Sequence, residues 1–435
     1  MIKFISLSFY LVENKMWLII LIIIVSLVYG LSMQGITCCN SGSLFALVRA
    51  IVEKKKLSIN EFIKYTKYID YAKVKGKYYS DRPPGVSFAA VPIHFFRGNV
   101  TLVSVISGIL SAVLVYLITL QLVQSPAIAF SVGLIFAFCT IIWRYSTIFI
   151  IHPLSTFLVL LAVYGLFVNF PIILIGLILG IATIVEYTDF MYFFGIALTN
   201  IIIGNLSSLP LLIVGYVIGI SPLLVYNARC FGSPFTTSYK YSAHFKWSNS
   251  FKTTFVTPML QGMKGLLFFI KKKGGIGIPG GILTLSPVLI FGIIGYIFLP
   301  FHILILFLCL TVPIFLLVSK HKTWWAGGGG DHRYLTSMIP YLTIPIGLTI
   351  KNLSFLWPFI LLFALISLVM VISKIIALTV SVQDLKKIDP TLLKKIRKRK
   401  LGILGALNFK CFTQLLALTF EGLFLRKVKL EKNLH

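Results

Sequence analysis

Residues 17–31 read WLIILIIIVSLVYGL, an uncharged and almost wholly aliphatic run behind Lys3 and Lys15. Lysines ahead of an apolar run resemble a secretory signal, yet no small-x-small cleavage pattern follows. The run is therefore expected to stay as a first membrane span with its N-terminus in the cytoplasm. Further apolar runs follow at 100–122, 126–143, 148–169, 171–188, 190–204 and 209–228. Others lie at 282–299, 301–319, 334–350 and 354–373. Together they predict about ten or eleven spans. Composition agrees. Hydrophobic residues make up 58% of the chain and charged residues 12%, against about 25% charged in a soluble domain. The expected fold is an all-α polytopic membrane protein. A spanning domain covers 1–373, and a basic tail covers 374–435.

Polar sequence is confined to a few places. The longest is 34–98, expected as an outer loop in which 43–53 has helical spacing of Leu44, Leu47, Val48 and Ile51. That spacing predicts an amphipathic helix lying on the membrane face. Outer loops are also expected at 229–280 and 320–333. With the N-terminus inside, parity puts these loops, the turn near Arg144 and the turn near Glu186 on the extracytoplasmic side. The same parity puts the basic tail outside, against the positive-inside tendency. Either its apolar stretch 401–425 crosses, or the span count shifts by one, or the tendency fails here. No internal repeat of the kind found in secondary transporters is visible.

Net charge is +28. Its cationic stretches flank apolar runs, so anionic lipid headgroups are the expected partner, and nucleic acid is not. The six cysteines show no metal-binding spacing. If all three face an oxidising exterior, a bridge from Cys38 or Cys39 to Cys230 is a candidate.

A reaction that needs a carboxylate has few choices, because the chain holds only twelve Asp and Glu. Away from the ends these are Glu53, Glu61, Asp70, Asp81, Glu186, Asp189 and Asp331, all on the expected outer face. Asp81 sits in Tyr79-Ser80-Asp81-Arg82-Pro83-Pro84-Gly85. The prolines fix the backbone beside an acid–base pair. The carboxylate is the first candidate for general base, with Asp70, Glu186 and Asp331 as alternatives. Arg82 is a candidate for holding phosphate in bidentate fashion. His152 closes an apolar segment before Pro153 and is a further phosphate candidate. Glu186, Tyr187 and Asp189 lie between two apolar runs, where ionisable groups carry a functional expectation. The segment 324–335, Trp-Trp-Ala-Gly-Gly-Gly-Gly-Asp-His-Arg-Tyr-Leu, joins an aromatic pair to flexible backbone and then to charge. It adds His332 and Arg333 to the phosphate candidates. Tyr79, Pro83, Pro84, Tyr187, Asp189, Trp325 and Tyr334 are expected to form the substrate pocket. Lys271-Lys272-Lys273-Gly274-Gly275 lacks phosphate-loop spacing, so no nucleotide is expected there.

Read in order, these segments resemble the GT-C class of polyprenyl-phosphate-sugar glycosyltransferases, which includes protein O-mannosyltransferases and the aminoarabinose transferase of lipid A. The resemblance runs through 40–53, 78–92, 145–155, 180–187, 226–239, 281–287 and 324–340. Its most specific parts are Tyr-Ser-Asp-Arg-Pro-Pro-Gly and Trp-Trp…Arg-Tyr-Leu. It implies a bundle of about ten to twelve transmembrane helices whose long first outer loop carries amphipathic helices. It implies a polyprenyl- or dolichyl-phosphate-linked sugar donor and a hydroxyl acceptor on lipid, glycan or protein. Asp81 and Arg82 match the family's acid-basic-proline-proline element. Arg333 and Tyr334 stand where members carry a Gly-Pro-Arg-Tyr type of sequence. Members often hold another acid early in the first loop, where this chain has Asn40 and Ser41. No firm cofactor is implied: the class allows a divalent metal, but no ligand cluster here has the spacing for one. The competing readings are a transporter or flippase of a lipid-linked anion, and an inactive scaffold of the same fold.

Overall fold

The computed structural model describes residues 2–379 except 274, 275 and 328. The tail from 380 onward, with the question of whether 401–425 crosses, lies outside the described residues. The chain is overwhelmingly helical. Among the described residues four helices are long and apolar enough to cross a membrane: Leu102–Val123, Leu206–Phe231, Phe301–Lys320 and Ser354–Ile375. Shorter apolar helices, Lys15–Leu31, Pro126–Cys139, His152–Phe167 and Ile172–Val185, pack with them around one large apolar core. Large apolar side chains point outward along the longest helices, as at Val217 (53% exposed) and Ile218 (54%). Such a surface is compatible with a membrane location.

Two expected spans are interrupted. The stretch 282–299 is a series of short pieces, Ile282–Leu285, Pro287–Leu289, Ile290–Gly295 and Tyr296–Phe298. The stretch 334–350 divides into Arg333–Met338, Ile339–Thr343 and Ile346–Asn352. Pro287, Pro340 and Pro345 lie at or beside the joins, where a missing N–H stops one helix and opens the next.

The helices that matter for the cavity are α1 (Ile2–Leu31), α2 (Cys39–Lys54), α3 (Gly85–Phe95), α4 (Leu102–Val123), α5 (His152–Phe167), α6 (Ile172–Val185), α7 (Leu209–Phe231), α8 (Phe301–Lys320) and α9 (Trp357–Thr379). Helices α6 and α7 meet backbone to backbone. A Cβ at Gly176 or Gly180 would stand 2.1 or 2.5 Å from a carbonyl oxygen of α7. A Cβ at Gly215 or Gly219 would stand 2.0 or 2.3 Å from one of α6. Two facing Gly-x-x-x-Gly patterns therefore set this contact, as in membrane helix pairs.

Helix α2 is longer than the expected 43–53 and does not rest its apolar side on a membrane face. Leu44, Leu47 and Val48 are fully buried, against protein that includes Phe62, Tyr79 and Leu223. The spacing was right for an amphipathic helix, but protein rather than lipid covers it. The first loop also holds an antiparallel hairpin, β1 (Tyr71–Val74) with β2 (Lys77–Ser80), which the helical reading did not anticipate. A second hairpin joins Ile270–Lys273 to Ile276–Pro279. Cys38, Cys39 and Cys230 are free thiols.

Candidate functional site

The hairpin builds the first part of the site. Its register pairs Tyr71 with Ser80, so Asp70 and Asp81 emerge side by side at its open end. Arg82 lies between them, with Nη2 donating to Asp70 Oδ1 at 2.6 Å and Nε 3.3 Å from Asp81 Oδ1. Pro83 and Pro84 then lead into α3, with Pro84 as its cap. Gly85 lets α3 start directly on the end of α6: a Cβ there would lie 2.7 Å from the Val185 backbone. Glu186, the next residue, is thereby held beside the hairpin end.

These groups open into a cavity of about 960 Å³. Its charged wall contains Asp70, Asp81, Arg82, Arg144, Glu186 and Arg333, and its tyrosines include Tyr145, Tyr187, Tyr239 and Tyr334. Ile220, Leu223 and Leu224 of α7 and Leu317 and Val318 of α8 give it an apolar side. The segments expected on one face by parity thus meet in one chamber.

Asp81 is 1% exposed. Ser242 donates to its Oδ2 at 3.4 Å, and Ser238 donates to its backbone carbonyl at 2.9 Å. The Arg82 contact is close but poorly aligned, so Asp81 Oδ1 and Arg82 Nε lack a hydrogen bond. Burial pushes the Asp81 carboxyl up to about 7; Arg82 opposes this and Asp70 adds to it. Burial likewise raises Glu186 to about 7, against the pull of Arg82 and Arg333. Burial thus moves both carboxyls from the ordinary acidic range towards neutrality, where a general base works best.

The guanidiniums differ. Arg82 is taken up by Asp70 and Asp81. Arg144 is 5% exposed and donates from Nη1 to Gln34 Oε1 at 2.6 Å. Among the described residues neither Arg144 nor Arg333 pairs with a carboxylate, the arginine ion pairs being those of Arg49 and Arg82. The Nε atoms of both are buried without a hydrogen bond. Cationic groups left this way suit an anion, and phosphate above all.

Several expected site residues lie elsewhere. Asp331 does not line the cavity. It accepts from the Tyr145 hydroxyl and pairs with Lys374, so it is not placed as a base. Burial works against its charge, yet Lys374 and Arg333 outweigh this and hold it below the usual range. His332 turns away from the cavity and donates from Nδ1 to the Gly280 carbonyl at 2.8 Å; burial keeps it neutral, down to about 4. His152 is not among the chamber's lining residues; its Nδ1 lies 3.7 Å from Glu186 Oε2, beside the carboxylate but beyond hydrogen-bond reach. Asp189 is fully buried away from the chamber, and burial pushes it well above the carboxylate range. Tyr79 packs on Phe231, and Pro83 and Pro84 are buried as a hinge into α3. Trp325 packs on Trp324, whose ring covers Gly265, so the pair is part of the core. Asp70, Asp81, Glu186, Arg82, Arg333, Tyr187 and Tyr334 do line the chamber.

Sequence reasoning missed Arg144, Tyr145 and Tyr239 as wall residues. Arg144-Tyr145 was visible as a basic-aromatic pair between apolar runs; Tyr145 and Tyr239 lie at the ends of resembling segments, 145–155 and 226–239, but neither was singled out there. Among the described residues no group of three His, Cys, Asp or Glu gathers as a metal centre. Comparisons with protein-family models, curated proteins and solved structures find no match for this chain.

Proposed function

We propose that this protein is an integral membrane glycosyltransferase that moves a sugar from a polyprenyl-phosphate donor to a hydroxyl of a lipid, glycan or protein acceptor. One observation carries the reading: a buried carboxylate oxygen with no hydrogen bond, Asp81 Oδ1, shares a chamber with the guanidiniums of Arg144 and Arg333, whose Nε atoms are buried without a hydrogen bond. On this reading the helices form a GT-C-like bundle of about ten to twelve spans, with the chamber on the extracytoplasmic face. The apolar side along α7 and α8 would take the lipid of the donor, and the arginines its phosphate.

The chemistry follows from those assignments. The acceptor hydroxyl gives its proton to Asp81, or to Glu186, as its oxygen bonds to the anomeric carbon. The bond from that carbon to the phosphate oxygen breaks, and polyprenyl phosphate leaves with the electron pair. Arg144 and Arg333 stabilise the charge that grows on the leaving phosphate. A transporter of a lipid-linked anion would use the same guanidiniums, and carboxyls can also serve proton coupling, so what separates the two readings is whether the bond from sugar to phosphate is broken.

The test compares wild type, Asp81→Asn and Glu186→Gln in membranes at equal expression, supplied with a panel of labelled polyprenyl-phosphate sugars. The expected result is transfer by wild type and loss of at least about a hundredfold in one variant, the usual size of a general-base contribution. Equal transfer by all three removes both carboxylates as the base.

A further inference from the structure

Lys374 lies in α9, in an otherwise apolar helix, and is 1% exposed. Its Nζ donates to the carbonyl oxygens of Gly329 at 2.9 Å and Gly330 at 2.7 Å, and it stands 3.7 Å from Asp331 Oδ2. The same Oδ2 accepts from the Tyr145 hydroxyl at 2.7 Å, and Asp331 Oδ1 accepts from the Arg333 amide at 3.2 Å. Thus one buried ammonium reaches, through a single carboxylate, two residues of the chamber wall.

Among the described residues the loop it holds is otherwise tied mainly by its own backbone turns, Gly329 N to Ala326 O at 3.2 Å, Gly330 N to Gly327 O at 3.2 Å and Asp331 N to Trp325 O at 3.0 Å. Glycines offer no side chain to pack, and Gly327 and Gly330 take positive φ of 56° and 62°. A loop so free when unfolded is costly to order. Charge-assisted bonds from a buried cation to two carbonyls oppose that cost. The carboxylate adds direction. An ionised carboxylate only accepts, so the single O–H of Tyr145 is committed to Asp331. What Tyr145 offers the chamber is a lone pair.

We infer that Lys374 and Asp331 form a buried latch that positions the Arg333 loop and fixes Tyr145 as a hydrogen-bond acceptor, so that this part of the wall reads a hydroxyl of the ligand rather than a phosphate oxygen. The inference rests on the lipid-phosphate-sugar reading for the identity of that hydroxyl, which belongs to the sugar or to the acceptor. The latch itself does not depend on it. Lys374 is a positioning residue: it acts on ligand through the loop and through Asp331.

The test uses the full chain in lipid nanodiscs and two measurements. The first is hydrogen exchange of the amides in 326–335 without ligand. Lys374→Met speeds exchange there by about tenfold or more, the scale of one lost charge-assisted bond, and Lys374→Arg keeps the loop protected. Unchanged exchange in Lys374→Met overturns the latch. The second is binding of farnesyl phosphate and of farnesyl phosphoryl-hexoses carrying glucose, mannose or galactose. The ratio of affinities, hexose-bearing over bare, falls about tenfold in Tyr145→Phe and in Asp331→Asn and is kept in Lys374→Arg. An equal loss for both probes means a merely structural role and overturns the assignment of Tyr145. If wild type binds neither probe, the lipid-phosphate-sugar reading falls, while hydrogen exchange still decides the latch.

Discussion

Replacing Gly85 by alanine places one methyl group at the seam on which the chamber depends. The new Cβ would lie 2.7 Å from Val185 Cα, from its backbone nitrogen and from its Cγ2. Ordinary contact begins near 3.4 Å, so the start of α3 and the end of α6 must part by roughly 0.7 Å or more. Two of the three obstacles are backbone, so no rotamer change relieves them. Asp81 and Arg82 precede α3, and Glu186 follows α6, so the parting separates the two carboxyls that share the wall. Displacements near 1 Å at a reacting centre cost about a hundredfold in rate, and overpacking destabilises by about 1–3 kcal/mol. Sugar transfer and thermal unfolding of detergent-purified Gly85→Ala should therefore both fall, with transfer hit harder. Gly30→Ala is the control, since a Cβ there meets nothing within 4 Å. Transfer by Gly85→Ala within about twofold of wild type would refute the claim that this contact sets the geometry of the site.

Other consequences follow from the same geometry. Arg144→Gln and Arg333→Gln should each weaken farnesyl phosphate binding by about tenfold to a hundredfold, measured by titration in nanodiscs, because each removes a charge-assisted contact to phosphate. Transfer should rise with pH and level off above about 7, since Asp81 and Glu186 must lose a proton to act and burial raises both to about 7; a rate that is flat between pH 5 and 8 contradicts a carboxylate base. Stability should fall over the range from the ordinary carboxylate value up to about 7, because there folded Asp81 keeps a proton that the unfolded chain has released; unfolding at pH 5 and 7 checks the sign. Asp189→Asn should leave unfolding closer to wild type than Asp189→Ala, because burial already works against its charge and raises its pKa, and Asn keeps the side-chain volume that Ala removes.

The apolar runs made the helical class legible, and most of their limits fall within a few residues of the helices. What they could not show was continuity: prolines at 287, 340 and 345 break runs whose average hydropathy stays high. The paired Gly-x-x-x-Gly spacings of α6 and α7 were equally readable, but only facing backbones make them meaningful. At the site, Asp81, Arg82, Glu186 and Arg333 stood out because charge inside an apolar chain is rare, and Tyr334 because it follows Arg333 in the segment 324–335. The spacing of Asp331 and His332 suggested the same role, yet side chains of neighbouring residues point in different directions. Arg333 faces the chamber, while Asp331 turns to Lys374 and His332 to Gly280. Lys374 looked like the first lysine of a basic tail, and only tertiary contact distinguishes it. Helix α2 shows the same limit from another side: periodicity gives an apolar face, but not whether lipid or protein covers it.

The most direct measurement follows both halves of a doubly labelled donor, with one label on the phosphate and another on the sugar, in vesicles holding the purified protein and an extract of candidate acceptors. The account predicts free polyprenyl phosphate and glycosylated acceptor appearing in equal amounts, with both lost in Asp81→Asn or Glu186→Gln. Donor that crosses the bilayer with its two labels still joined, and no free polyprenyl phosphate, would contradict it and make the protein a carrier of lipid-linked anions.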